Sequence, residues 1–257
     1  SEYKALKQIP GFDNTPNVAQ LQRGLIMAWS VYKSETFYQS VKNLQPAHNL
    51  VWQNGKIKIE KYWDIDFSAL KKSSASFEEK KEMFFSLFKE SIQLHSRSDV
   101  QNGTCLSGGL DSSSIASMYS TLFPDSKIKS FSVYYENDVD ERPFVEEVVK
   151  KYPNIQPHYF SPTEQQIQDN FHRAAYHSDV PLLGSSYISQ YFLMQLAKSE
   201  GVTVALDGQG SDEYLGGYLH SFYRLIGEDF RSLKFKKAMR LLDAHVAMEN
   251  YSAEKRK

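Results

Sequence analysis

Hydrophobic residues fall on different periods in different parts of the chain. Between Phe77 and Arg97, Phe84, Leu87, Phe88 and Ile92 recur three or four positions apart with Glu and Lys between them, a spacing that predicts a helix. After that helix, short apolar runs alternate with helical segments. Thr104-Cys105-Leu106 is a brief apolar run, and residues 112–122 read as a helix. Ile128 to Tyr135 is rich in β-formers, and Glu141 to Tyr152 is helical with the acidic start that a helix dipole favours. Pro157 to Phe160 reads as a strand, Tyr187 to Lys198 as a mostly apolar helix stopped at Gly201, and Val202 to Leu206 as a buried strand. This β-α-β-α order predicts an α/β fold, a doubly wound parallel sheet with helices on both faces. The stretch from Leu219 onward is predicted to be helical.

The opening third follows another rule. Pro10, Gly11, Asp13, Asn14 and Pro16 cluster in a turn-rich segment. Further on, Leu50-Val51-Trp52 and Ile57-Lys58-Ile59 flank Gln53-Asn54-Gly55-Lys56. An Asn-Gly pair between partly alternating apolar runs predicts a β-hairpin. This hairpin reads as the edge of a β-rich unit, and the polar stretch Lys71 to Ser76 reads as a linker. The expected division is therefore residues 1–70 and 71–257.

Composition narrows the class. The chain has 257 residues, 41% hydrophobic and 14% aromatic, enough for a sizeable core. Its formal net charge is -1 with acids and bases interspersed, which favours neither a nucleic-acid nor a membrane-surface partner. No apolar run approaches the ~20 residues that span a bilayer. Ser1 to Gln8 is polar and lacks a signal-peptide core. One cysteine, Cys105, excludes an internal disulfide framework and makes a reducing, cytoplasmic compartment the expectation. Cys105 sits in an apolar run and is expected to be buried and inert. His172 and His177 stand five apart, on different helix faces, which argues against a metal pair.

Chemistry concentrates in two segments. The first is Leu106-Ser107-Gly108-Gly109-Leu110-Asp111-Ser112-Ser113, which follows a strand and opens a helix. Paired glycines let the backbone turn tightly toward an anion. A helix N-terminus adds unpaired N–H donors, and Ser107, Ser112 and Ser113 add hydroxyls, so the segment can cradle phosphates. A carboxylate in such a cradle, Asp111, makes sense as the ligand of a divalent metal bridging to those phosphates. A Gly-Gly turn with an ordinary helix cap accounts for the same string equally well. The segment lacks the Gly-Lys-Ser/Thr ending of a Walker loop and the glycine spacing of a nucleophile elbow. The second segment, Asp207-Gly208-Gln209-Gly210-Ser211-Asp212-Glu213 followed by Gly216-Gly217-Tyr218, also follows a strand. It places glycines and carboxylates at a strand's carboxyl end, where open α/β sheets bind ligands. Alone, it also reads as a glycine-rich acidic turn.

Taken in order, the two segments resemble a known pairing. Ser-Gly-Gly-x-Asp-Ser is similar to the pyrophosphate loop (PP-loop) of the N-type ATP pyrophosphatases, which adenylate a substrate and release pyrophosphate. Class B, glutamine-hydrolysing asparagine synthetases join Ser-Gly-Gly-Leu-Asp-Ser-Ser to a later Ser-Gly-Glu-Gly-(Ala/Ser)-Asp-Glu and Gly-Gly-Tyr. Asp140-Glu141, Asp179-Val180-Pro181 and Tyr62-Trp63-Asp64 also resemble patterns of that family. The resemblance covers nearly the whole chain. It implies a synthetase domain of the adenine-nucleotide alpha-hydrolase type over residues 71–257, and the tail of a glutaminase domain over 1–70.

Carried over by resemblance, Ser107, Gly108, Gly109, Asp111, Ser112 and Ser113 hold the pyrophosphate end of ATP. The backbone of Leu106 and Val133 meets the adenine, Asp207 and Gly208 lie beside the nucleotide, and Asp111 and Asp212 ligate Mg²⁺. Two carboxylates plus phosphate oxygens suit a magnesium ion that keeps some of its water. Asp111 and Gln209 are the expected catalytic residues. The implied reaction activates a carboxylate, aspartate in the family's main members, as an acyl-adenylate. Ammonia from glutamine, released by the glutaminase domain, then forms the amide. A homodimer fits the resemblance. Two substitutions depart from the family: Asp207 stands for a serine, and Gln209 for a glutamate. Glutamine is no general base at neutral pH, so Gln209 opens the alternative of an amidotransferase for another carboxylate, such as a sugar acid or peptide. The family's amino-terminal cysteine and its catalytic lysine match no segment of this chain. Other ATP pyrophosphatases are not expected to carry the second motif, and intact Asp111 and Asp212 argue against a non-catalytic nucleotide-binding scaffold.

Overall fold

The computed structural model describes residues 2–68, 73–135 and 140–255, the last eight of these by backbone alone. The expected boundary at 70/71 and the start of the expected linker lie outside the described residues.

The turn-rich opening contains two helices, α1 (Tyr3–Leu6) and α2 (Val18–Met27). Asn17 caps α2 by accepting from the Gln20 amide at 3.2 Å, and Ala28 ends it in the left-handed region at φ 53°. Strands β1 (His48–Gln53) and β2 (Lys56–Lys61) form the expected antiparallel hairpin, in register from His48–Lys61 to Gln53–Lys56. Asn54 and Gly55 both take positive φ, 51° and 73°, as a two-residue hairpin loop requires.

Helix α3 (Phe77–His95) starts at a capping box: Ser76 accepts from the Glu79 amide at 3.2 Å, and Glu79 accepts from the Ser76 amide at 2.7 Å. The chain then alternates through β3 (Asn102–Cys105), α4 (Leu110–Leu122), β4 (Ile128–Val133), α5 (Arg142–Lys151) and β5 (Ile155–Phe160). Two helices, α6 (Glu164–Ser178) and α7 (Ser185–Ser199), lead to β6 (Val204–Leu206). The short α8 (Ser211–Leu215) follows, and the predicted terminal helix is two, α9 (Leu219–Arg231) and α10 (Phe235–Lys255). Glu141 sits just before α5 and supplies no side-chain cap, so the expected acidic start lies outside the helix proper.

The four later strands form one parallel sheet in the order β5-β4-β3-β6. Alternating side chains sort the helices to its two faces. Ile128 and Ile155 point to one face, packing with α3, α4 and α5 through Ile92, Ala116, Tyr119 and Val145. Phe131, Val133 and Phe160 point to the other, against α6 and α7 through Ala174, Ile188, Phe192 and Ala197. The sheet is thus doubly wound. Its connections run outward from β3 through β4 to β5 and return to the far side of β3 at β6. The gap between β3 and β6 is therefore the topological switch point, where such sheets open a ligand crevice.

The amino-terminal region meets this layer at the end of α6 and the loop after it. The Asp179 carboxylate accepts from the Tyr3 amide at 2.8 Å and the Lys4 amide at 3.4 Å, and pairs with Lys4 Nζ at 3.2 Å. Asp179 ends α6 in the left-handed region at φ 58°. Gly24 of α2 nestles against Phe37 and Leu183; a Cβ there would lie 3.1 Å from the Phe37 ring.

Candidate active site

The first motif leaves β3 and enters α4 at the switch point. Gly108 takes φ +77°, and a Cβ on it would stand 2.5 Å from Phe144 Cβ, so only glycine fits this turn. Ser107 and Ser112 lock the loop. Their hydroxyls lie 3.0 Å apart, the Ser107 amide donates to Ser112 Oγ at 3.1 Å, and the Gly109 amide donates to Ser107 Oγ at 3.3 Å. The first helical bond of α4 runs from the Ser113 amide to the Gly109 carbonyl at 3.0 Å. The amides of Leu110, Asp111 and Ser112 therefore have no acceptor within the helix, the arrangement that binds anions. Ser113 Oγ is buried without a hydrogen-bond partner among the described residues.

The second motif leaves β6 on the other side of β3. Thr104 Oγ1 donates to the Leu206 carbonyl at 3.2 Å and ties the roots of the two loops together. Gly208 packs directly on the start of α4. A Cβ on it would lie 3.1 Å from both Asp111 Cβ and the Ser112 nitrogen. The Gly-Gly-Tyr sequence folds back on the acidic pair. Gly216 and Gly217 amides donate to the Asp212 carbonyl at 2.9 and 3.1 Å, and Asp212 Oδ1 fills the place of a Gly217 Cβ, 1.8 Å away. Tyr218 Oη donates to Glu213 Oε1 at 2.9 Å, and that carboxylate raises the phenol's pKa.

A cavity of about 440 Å³ opens at the carboxyl ends of β3, β4 and β6. Of the residues read from sequence, Leu106, Ser107, Ser112, Val133, Asp207 and Gln209 line it. Gly108 and Gly109 shape its loop. Asp111 opens the first turn of α4 beneath Gly208 and faces a neighbouring groove, while Asp212 lies in the first turn of α8 and borders neither space. Ser132 Oγ donates to the Leu106 carbonyl and the Leu106 amide donates to the Phe131 carbonyl at 3.0 Å, fixing the backbone of the inner wall. Asp207 accepts from Gln190 Nε2 at 3.3 Å. It also faces the Cys105 thiol. Burial first, and then this carboxylate, pushes that thiol up to about 12, so Cys105 is neutral as well as buried.

Sequence reasoning missed much of the remaining wall. Tyr134 and Tyr135 follow β4, Glu141 precedes α5, and Ser186, Ser189 and Gln190 come from α7. Tyr135 Oη and Ser189 Oγ lie 2.7 Å apart and bridge two of these elements. Glu141 stood in a segment noted for its resemblance; the α7 residues belong to no motif and meet the loop only through the sheet's packing. On the rim, Arg142 stacks on Tyr134 with its guanidinium carbon 3.9 Å from the ring centre. The same guanidinium grips Asp140 through Nε and Nη2, both at 2.9 Å, and holds that carboxyl below its ordinary pKa.

A family model for asparagine synthase matches residues 84–256, which include both loops. The chain belongs to the asparagine synthase family. It is 28% identical over 223 residues to a putative glutamine-hydrolysing asparagine synthetase 2 of Methanocaldococcus jannaschii, covering 85% of this chain and 42% of the relative. It is 30% identical over 189 residues to glutamine-hydrolysing asparagine synthetase 1 of Bacillus subtilis, covering 73% and 29%. Amidase chyE of Penicillium rubens is 27% identical over 207 residues, covering 74% and 30%. The chain thus spans less than half the length of these curated relatives. The α/β fold with its parallel four-stranded sheet agrees with this membership. No described helix is long and apolar enough to cross a membrane.

Proposed function

We propose that the chain binds ATP with Mg²⁺ in the 440 Å³ cavity and activates a carboxylate as an acyl-adenylate, which ammonia then converts to an amide. The observation that carries this reading is the contact of Gly208 with Asp111 and Ser112, which joins two loops remote in sequence into one crevice at the switch point. In this reading residues 71–257 act as the synthetase unit, and residues 1–70 associate with a glutaminase unit that supplies the ammonia. Aspartate is the acceptor suggested by the names of several relatives.

Each group has a defined task. The α4 amides and the Ser107 and Ser112 hydroxyls take up negative charge on the departing pyrophosphate, with Ser113 beside them. The Leu106 and Val133 backbone receives the adenine edge. Asp111 and Asp212, the residues the resemblance offers to Mg²⁺, do not line this cavity: Asp111 faces the neighbouring groove and Asp212 borders neither space, so the geometry supports the phosphate cradle more directly than the metal site. Among the described residues no group of three or more His, Cys, Asp or Glu side chains is placed to hold a metal alone, so phosphate oxygens and water would complete its shell. When bound, the ion would neutralise charge building on the phosphates. Gln209 lines the cavity with an amide that donates a hydrogen bond and cannot remove a proton, and this favours a second reading in which the acceptor is a carboxylate other than aspartate. Calorimetric titration of the chain tests the proposal. Binding of Mg-ATP is expected, with its metal dependence lost in Asp111→Ala. No heat with ATP, AMP or pyrophosphate at millimolar concentration would overturn it.

A further inference from the structure

A larger groove, about 740 Å³, lies on the other side of the Asp207–Gln209 turn. Helices α3 and α4 form its walls, β6 its floor and α8 one end. Phe84, Phe85, Phe88, Ile115, Met118 and Tyr214 are among the apolar side chains that line it. The small polar side chains along α4 add little polarity, because Ser114 Oγ donates to the Leu110 carbonyl and Thr121 Oγ1 to the Ser117 carbonyl, both at 2.7 Å. Asp207 and Gln209 line both this groove and the nucleotide cavity, so the two spaces share a wall. No lysine or arginine is among the described residues lining either space; the groove's one basic side chain, His95, already engages the Ser91 carbonyl at 2.8 Å.

We propose that this groove takes the body of the acceptor, and that the acceptor is an apolar monocarboxylic acid whose carboxylate sits at the shared wall. The inference rests on the second reading of the nucleotide site given above. Aspartate would carry a second carboxylate into a space lined by phenylalanine, isoleucine and methionine and by the carboxylates of Asp111 and Asp207, with no lysine or arginine to pair it. An alkyl or phenylalkyl chain gains from the same walls. At the shared wall the Gln209 amide can donate to a substrate carboxylate beside Asp207, which already accepts from Gln190, whereas a glutamate at 209 would add a second negative charge there. The chemistry balances with ATP alone. One acid oxygen bonds to the α-phosphorus, the bond from that phosphorus to pyrophosphate breaks, and its electron pair leaves with the pyrophosphate.

The test is direct binding of butyrate, hexanoate, octanoate, 4-phenylbutyrate and aspartate, by calorimetry or saturation-transfer NMR, with Mg²⁺ and a non-hydrolysable ATP analogue present. Affinity is expected to rise about threefold per added methylene, so that octanoate binds at least about tenfold more tightly than butyrate. Aspartate is expected not to bind measurably. Ser117→Trp, which fills the groove, is expected to weaken hexanoate about tenfold. Nucleotide binding reports whether that variant is folded, and Thr121→Tyr at the groove's exposed edge serves if it is not. Preference for aspartate, or affinity independent of chain length, overturns the inference and leaves the nucleotide reading intact. Failure to bind the nucleotide overturns both. A groove-filling change that dissociates a dimer without altering acid binding assigns the groove to a second copy of the chain and also overturns the inference.

Discussion

The parallel sheet and the amino-terminal hairpin are both β-structure, yet they are held by different forces. In and next to the sheet, Leu106, Ile128 and Phe131 are 1%, 1% and 0% exposed, with helices on both faces. In the hairpin, Leu50, Trp52, Ile57 and Ile59 are 48%, 69%, 64% and 58% exposed. Burial specifies the first, since a slip of one residue would send every apolar side chain to the wrong helix layer. Turn geometry and cross-strand pairs specify the second, because Asn54 and Gly55 fix the register before anything covers it. Each of the two glycine-rich loops hangs from the element with the deep core, where small displacements are opposed from both sides.

Truncating the two regions should separate them most sharply. Phe131→Ala is expected to cost about 3–5 kcal/mol, whereas Trp52→Ala should stay within about 0.5 kcal/mol, both read from urea midpoints. Comparable losses would break the contrast. A smaller effect tests the joint between the regions. Asp179→Ala removes the acceptor of two α1 amides and the partner of Lys4, and should cost about 1–3 kcal/mol. Faster hydrogen exchange confined to α1, α2 and their neighbours is the expected signature; uniform acceleration across the sheet would show that the two regions are not separable. The smallest effect lies in the sheet itself. Cys105 holds its proton up to about 12, against 9.0 for the ordinary thiol. The folded state therefore keeps a proton that the unfolded chain releases as pH climbs past 9. Stability from this group is complete below pH 9 and declines above it, by about 1 kcal/mol at pH 10. Cys105→Ala should flatten that alkaline slope, measured as the urea midpoint between pH 8 and 10.5.

The parts of the molecule legible in sequence are those whose signals are local. The hairpin announced itself through Asn54-Gly55, and the site loops through glycines next to short apolar runs. The terminal helix was read as one because nothing at residues 232–234 is an obvious breaker; Leu233 there takes φ 57°. Helix α6 was assumed around His172 and His177, but its bounds were not read. Its apolar positions Ile167, Phe171 and Ala174 are sparse, and only Ala174 is buried, so its period is faint. Its start was written in Thr163 and Gln166, a capping box closed at 2.8 and 3.2 Å. The α7 contribution to the 440 Å³ cavity was illegible for a different reason: Ser186, Ser189 and Gln190 acquire their place from the crossover that carries α7 to the sheet's second face.

The strand order also sets a timetable. β3 pairs with β4 and β4 with β5, each across a single helix, contacts that close short loops early. β6 must reach back past β5 and β4 to pair Val204 with Asn102 of β3. Closing so long a loop comes late, and during synthesis it cannot occur until β6 has left the ribosome. The crevice between β3 and β6 is accordingly the last part of the sheet to be assembled, and a nascent chain that has finished three strands still lacks the wall that Asp207 and Gln209 supply to the cavity.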